Sequence, residues 1–382
     1  MANYDYEIVN GRKIRVRPKE TVSEIDKNGY FRRQPNHFTT PFGDGENDLK
    51  AEGNKRYRLV WAKLCHWSNR AAIVRELEGL EDQISVNMVE HAPHEKNLGW
   101  EYVYNENNID PVLGDQFLSE AYYRADDDYQ GRTIVPALID TTTGKVVNND
   151  YNWLTTYFEV NFRPWHKKGA PELYPVELRE EIDKMNLWLF DNINNAVYRS
   201  SFSRSNEGHF DGVNTFYAAM DRLEKRLETN RFLFGDYVTD SDIRLYVTLA
   251  RLDIRYTAQL GETKRPLYTY KNLWGYAKEL WEIPAFAHHT DFAAIIRQGR
   301  IEGEEDGFRA STHYDLALPK IDWDAQWKVS TERAYLSSDP THPIYLGNNR
   351  RFDIDPTWYD LGAESPKKEE KETPPSCGCC CG

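Results

Sequence analysis

Cysteine is almost absent from the body of this chain. Of its five cysteines one is Cys65, the next is Cys377, and the last four crowd into the closing CGCCCG. Such a distribution gives no basis for a disulfide framework, and it points any cysteine function toward redox, catalytic or metal chemistry in a reducing compartment. Basic charge is also scarce: 48 Lys+Arg against 61 Asp+Glu leave a net charge of −13. No clustered basic stripe is present to neutralise a phosphate backbone, so nucleic acid is excluded as an expected partner. Long apolar runs are missing as well. No stretch of about 18 apolar residues occurs, and the N-terminal MANYDYEIVNGRK lacks the apolar centre of a signal peptide. Neither membrane nor export is expected, and the cytoplasm is the expected location.

Aromatics, by contrast, are plentiful. With 24 Tyr and 11 Trp among 382 residues, the composition fits either aromatic-lined clefts or an aromatic-rich core, and does not choose between them. The length suits two domains.

Residues 1–54 are polar, with turn residues at Pro35, Pro41, Gly43 and Gly45 and little periodicity, and read as an extended arm. Regular structure is expected from Arg56: a strand over 56–62, a helix over HWSNRAAIVRELEG stopped by Gly79, and a strand over 84–90. A polar, aromatic excursion (91–131) precedes strands at 133–140 and 144–149 and a helix starting in DYNWLTTYFEVNF. Strand–helix–strand followed by strand–strand–helix is the order of a thioredoxin-like α/β domain, expected over 55–165. Pro136 inside a strand argues against a central position on general grounds; in that fold, however, a cis-proline faces the active cysteine. The text from 175 to 320 reads as an all-α domain, with helices at 176–199, 211–229, 239–260 and 270–282. TDSD, with Thr239 and Asp242 three apart, is a capping-box variant. The remainder, 321–382, is expected to be extended, its charged, proline-bearing ESPKKEEKETPPS disordered before the cysteine-rich end.

Cys65 falls between the first strand and the first helix. Unpaired N–H groups and the helix dipole favour an anion at that place, and a thiolate is an anion. A buried, inert cysteine is the bland alternative. At this point the motifs add up: CHWS (65–68), GWEY (99–102), GRTIVPALID (131–140), VYRSSF (197–202), TDSDIRLYVTLARLDIRY (239–256) and NLWGYAKELWEIPAF (272–286). Together they resemble the glutathionyl-hydroquinone reductases, also called Xi-class glutathione transferases, across roughly residues 30–320. The resemblance implies a thioredoxin-like domain followed by an all-α glutathione-transferase domain, in a homodimer. It implies a reaction in which Cys65 attacks the sulfur of a glutathionyl-hydroquinone and a second thiol resolves the mixed disulfide. Trp100 would wall the thiol site, Arg132 and Val135 would bind the thiol cofactor beside Pro136, and Tyr198 would line the aromatic site and assist protonation.

The chain departs from that pattern in places. His66 replaces the family's proline after the cysteine, and is competent to donate a proton or, when charged, to stabilise a thiolate. Asp150 and Tyr151 stand where the family has the Glu and Ser that hold the γ-glutamyl end of glutathione, and the late tyrosine pair is missing from IIRQGRIEGEE (295–305). The expected cofactor is therefore a low-molecular-weight thiol, glutathione or an analogue, with an aromatic electrophile as second partner and no resident metal. A non-catalytic binding or scaffold module is the alternative from another class. Three consecutive cysteines in CGCCCG do not have the separated C-x-x-C spacing of a structural zinc site.

Overall fold

The computed structural model describes residues 4–17, 23–91, 98–261, 265–296 and 322–338. The chain opens not with a featureless arm but with a hairpin, β1 (Tyr6–Val9) paired to β2 (Arg12–Arg15). Its turn is Asn10–Gly11, both at positive φ (51° and 79°), which is what a two-residue type I′ turn demands. Ile14 buries against Leu98 and Phe117, while Arg12 and Arg15 reach Glu120 and Asp127. Over 23–54 the chain is irregular, fixed by isolated bridges and by Phe42, which packs edge-on against Tyr57 and Phe162.

The first domain is built on β3 (Tyr57–Trp61), whose five residues are all buried. The chain turns at Ala62–Cys65, runs through α1 (His66–Glu78), and returns as β4 (Ile84–Met88), parallel to β3. Gly79 ends α1 at φ 72°, with its N–H and that of Leu80 closing onto Glu76 and Arg75 carbonyls. A small ribbon, β5 (Glu90–His91) and β6 (Trp100–Glu101), leads to α2 (Leu118–Ala125). This helix lies inside the stretch read as an excursion. Its apolar face, Leu118, Ala121 and Tyr122 at helical spacing, is buried, and its start is fixed locally by Glu120, whose carboxylate accepts the N–H groups of Gln116 (2.7 Å) and Phe117 (3.0 Å). Strand β7 (Ala137–Asp140) then pairs antiparallel with β3, and β8 (Lys145–Asn148) with β7, giving the order β4-β3-β7-β8. β7 begins four residues later than expected, directly after a cis Val135–Pro136 bond, because proline has no N–H to give the ladder. Helix α3 (Leu154–Val160) closes the unit.

The second part is helical. α4 (Arg179–Leu189) passes through a π turn (Phe190–Asn194) into α5 (Ala196–Phe202), so the single helix expected at 176–199 is in fact interrupted. α6 (Asn206–Arg226) starts five residues earlier than expected, its N-cap Ser205 accepting from the Gly208 N–H. α7 (Asp240–Arg251) starts at the Thr239–Asp242 capping box and runs through a second π turn (Leu252–Tyr256) into α8 (Thr257–Gln259). Next come α9 (Lys271–Trp281) and α10 (Pro284–His288), in which Pro284 occupies the first turn rather than merely ending what precedes it; α11 (Trp323–Trp327) packs back, Trp327 meeting Tyr246 and Phe292. One apolar core runs from Leu59, Val74 and Leu138 of the first part into Phe216, Leu245 and Leu273 of the second. The cysteine-rich end and most of IIRQGRIEGEE lie outside the described residues. No described helix is long and apolar enough to cross a membrane.

Candidate active site

Cys65 is the N-cap of α1, in extended conformation (φ −80°, ψ 116°). The turn before it is held from three directions. The Ser68 hydroxyl accepts the Ala62 N–H at 3.1 Å, and the Cys65 N–H donates to the Ala62 carbonyl at 3.0 Å. From the end of α7 the fully buried Arg251 donates to the carbonyls of Leu64 (2.7 Å) and Lys63 (2.9 Å) and to Asn69 Oδ1 (3.2 Å). Cys65 itself is 8% exposed, its Sγ 3.7 Å from the Val135 carbonyl, and it interacts electrostatically with the guanidiniums of Arg70 and Arg251.

The sulfur opens onto a cavity of about 440 Å³. One group of lining residues is aromatic: Phe31, Phe202, Tyr198 and Trp67 follow ring to ring, at centroid distances of 5.5, 5.7 and 5.8 Å. Tyr151 joins them through Trp67 at 4.7 Å. The other group is Trp100, Arg132, Thr133 and Val135. Trp100 lies on His91 with centroids 4.0 Å apart and donates through Nε1 to the Thr133 carbonyl (3.1 Å). No hydrogen bond engages the Val135 N–H among the described residues.

The cavity thus brings together Cys65, Trp100, Arg132, Val135, Tyr151 and Tyr198, and leaves His66, Pro136 and Asp150 outside its lining. His66 cannot act as a cation. Burial, followed by the charges of Arg251 and Arg70, holds its pKa well below 6.5, so the ring is neutral. Nδ1 sits between Tyr256 OH (3.1 Å) and Thr248 Oγ1 (3.2 Å), and the ring packs edge-on against Trp67. Asp150 uses Oδ1 to accept from Asn36 (2.8 Å) and the Asn152 N–H (3.0 Å). Arg132 is clasped by Glu24, Nε to Oε2 and Nη2 to Oε1, both at 2.9 Å. Burial alone would raise the Glu24 pKa; the charge and hydrogen bonds of Arg132 reverse that, and the net shift is downward.

Comparison with known proteins fits this geometry. The glutathione S-transferase C-terminal domain model matches residues 197–279. Glutathione S-transferase omega-like 2 of Schizosaccharomyces pombe is 34% identical over 280 residues, 70% of this chain and 88% of that protein. Glutathionyl-hydroquinone reductase YqjG of Escherichia coli is 32% identical over 240 residues, 63% of this chain and 73% of that one. The crystal structure of the Xi glutathione transferase from Phanerochaete chrysosporium superposes with a TM-score of 0.64 at 33% identity, covering 71% of this chain and 87% of the other. The chain belongs to the Xi-class glutathione transferases. It is an enzyme of the glutathionyl-hydroquinone reductase kind.

Several lining residues of this Xi-class transferase escaped sequence reasoning. Trp67 is two positions from Cys65 and was visible in CHWS, but helical periodicity assigns it no direction. Glu24, Phe31 and Arg33 come from the irregular arm, where no pattern marks a residue as facing a cavity.

Proposed function

We propose that this Xi-class transferase reduces glutathionyl adducts of hydroquinone-type aromatics, with Cys65 as nucleophile and glutathione or a close analogue as the thiol. The supporting observation is the thiol at the N-cap of α1, opening onto a cavity bounded by an aromatic file and by the main chain at Val135. The Cys65 thiolate attacks the adduct sulfur, and an S–S bond forms. The C–S bond breaks with its electron pair passing to the ring carbon, which takes a proton, and the hydroquinone leaves. A second glutathione thiolate then attacks the mixed disulfide, releasing glutathione disulfide and restoring Cys65.

The Cys65 sulfur stands at the helix N-terminus and interacts electrostatically with the guanidiniums of Arg70 and Arg251. Tyr198, on the aromatic file, is the proton donor of this reading; neutral, enclosed His66 is a packing partner of that file. The residues present suit the middle of a thiol tripeptide, with the Val135 N–H available and Trp100 as a wall. At its ends Arg132 and Asp150 already hold Glu24 and Asn36, and binding exchanges those contacts.

The test is intact-protein mass spectrometry after incubation with the disulfides of glutathione and of other cellular thiols, alongside turnover of a glutathionyl-hydroquinone. A glutathione adduct on Cys65 and loss of turnover to background in Cys65→Ser are expected. Undiminished turnover in that variant would refute the cysteine mechanism, and an inert wild type would favour a non-catalytic module.

A further inference from the structure

The cavity is basic although the chain is acidic. Among the described residues Arg17, Arg33, Arg132 and Arg255 line it against the single carboxylate of Glu24, in a chain of net charge −13. Glu24 commits both oxygens to Arg132. Arg17 is pressed downward in pKa, first by burial and then by the neighbouring Arg132 charge. Cations gathered in a partly dehydrated site favour an anionic guest. A glutathione adduct carries two carboxylates and one ammonium, and so brings a net charge of only about −1 at neutral pH. That leaves positive charge for the other half of the adduct.

Arg33 puts that charge beside the aromatic file. Its Nε donates to Asn195 Oδ1 at 2.9 Å, which fixes the side chain. The guanidinium lies over Tyr198 at 4.3 Å and Trp67 at 4.6 Å, both lining the cavity. Nη2 is shielded from water and has no hydrogen-bond partner among the described residues. A donor in that condition costs free energy until something accepts from it. A neutral hydroquinone offers it only the weak acceptor of a phenol hydroxyl, whereas an anionic oxygen on the ring would pair with it more strongly and neutralise the charge.

Resting on the proposed reaction, we infer that Arg33 is a specificity residue that selects adducts whose aromatic group carries an anionic oxygen, as a ring carboxylate or an ionised phenol.

The experiment compares kcat/KM at pH 7.5 for three glutathionyl adducts: plain hydroquinone, a hydroquinone bearing a ring carboxylate, and a dichlorinated hydroquinone with an acidic phenol. Wild type, Arg33→Met and Arg33→Lys are each assayed. Wild type is expected to favour the charged adducts about tenfold or more, as a charge-assisted hydrogen bond predicts. Arg33→Met loses about 10- to 150-fold on them and under about threefold on plain hydroquinone, while Arg33→Lys recovers part of the loss. Preference for the carboxylate alone, or for the phenol alone, supports the inference and identifies the acid. Equal losses on all three adducts overturn it, because Arg33 would then serve glutathione or the fold. If Arg33→Met does not fold, the wild-type preference and Arg33→Lys decide: no preference, or a lysine variant that loses all three equally, overturns the idea. Failure of the underlying reaction is read separately. Tryptophan quenching by 2,5-dihydroxybenzoate and by hydroquinone gives Kd values without turnover, and Arg33→Met should weaken only the first.

Discussion

Tyr151 lines the cavity at the end of the first domain's sheet. Its ring packs on Trp67 and lies nearly parallel to Phe190, and its backbone carbonyl is taken by Arg70 at 2.8 Å, where the family resemblance implies a small hydroxyl on the γ-glutamyl end. A hydrogen bond lost with a buried partner left unpaired costs roughly 1–3 kcal/mol, or about 5- to 150-fold in affinity. Replacing Asp150–Tyr151 by Glu–Ser is therefore expected to lower the glutathione Kd by an amount in that range, measured calorimetrically. An unchanged or higher Kd would show that other groups recognise the γ-glutamyl end. Residue by residue, the site was legible where a short motif ties chemistry to a local feature. Cys65 sits at a helix start, Val135 precedes the proline that leads into a strand, and Trp100 and Tyr198 fall in recognisable phrases. Arg33 and Glu24 were not legible, because their positions depend on how an irregular arm crosses residues about a hundred or more positions away, which no periodicity encodes. The neutrality of His66 was equally hidden, since it comes from burial beneath α7 and its continuation.

Among the elements, α7 has a start closed by a single buried carboxylate. Asp242 is fully buried and accepts from the N–H groups of Leu233 (2.9 Å) and Thr239 (2.8 Å), the Thr239 hydroxyl (2.9 Å) and Tyr276 OH (2.7 Å). Asp242→Ala strands these donors and should cost about 3–5 kcal/mol in urea unfolding; a loss below about 1 kcal/mol would mean that water takes the place of the carboxylate. This cap was readable because a capping box is a local code. The hairpin turn Asn10–Gly11 carried an equally local signal that a polar composition outweighed. In short α2 the apolar spacing of Leu118, Ala121 and Tyr122 behind Glu120 was likewise outweighed by the polar stretch around it, while the two π turns carried no local signal, as they depend on tertiary packing over a few residues.

On the scale of the whole molecule, the joint between the two parts contains carboxylates kept from water. Glu159 of α3 is 2% exposed, and burial, then the charges of Asp240 and Glu78, hold its pKa well above 4.5. Asp240 is bonded by Arg244 (2.6 Å), which also donates to the Asn152 carbonyl (2.7 Å) and so joins the helices to the first domain. Because the folded state keeps a proton that the unfolded chain releases near pH 4.5, this group's contribution is full below that pH. It declines as pH rises toward the raised folded value, by up to about 1.4 kcal/mol per pH unit. Glu159→Gln cannot ionise, so its stability relative to wild type should grow with pH above about 4.5 in denaturant titrations at several pH values. A constant difference would show that Glu159 does not change charge on unfolding. His66 acts in the opposite sense: with its folded pKa depressed, its contribution is present above about 6.5 and is lost as pH falls below that. Acid therefore acts through His66 in the Cys65 turn, and alkali through the joint.

The grip of Arg251 on the Lys63 and Leu64 carbonyls has a consequence for inheritance. The turn that presents Cys65 belongs to the first half of the chain, but the hand that steadies it belongs to the second. A recombination event that exchanged the helical half for another would deliver a Cys65 whose approach is no longer held, even with every residue of the first half unchanged. The two halves are consequently transmissible only as a matched pair. Drift in the turn is answerable to α7, and drift at the end of α7 is answerable to the turn.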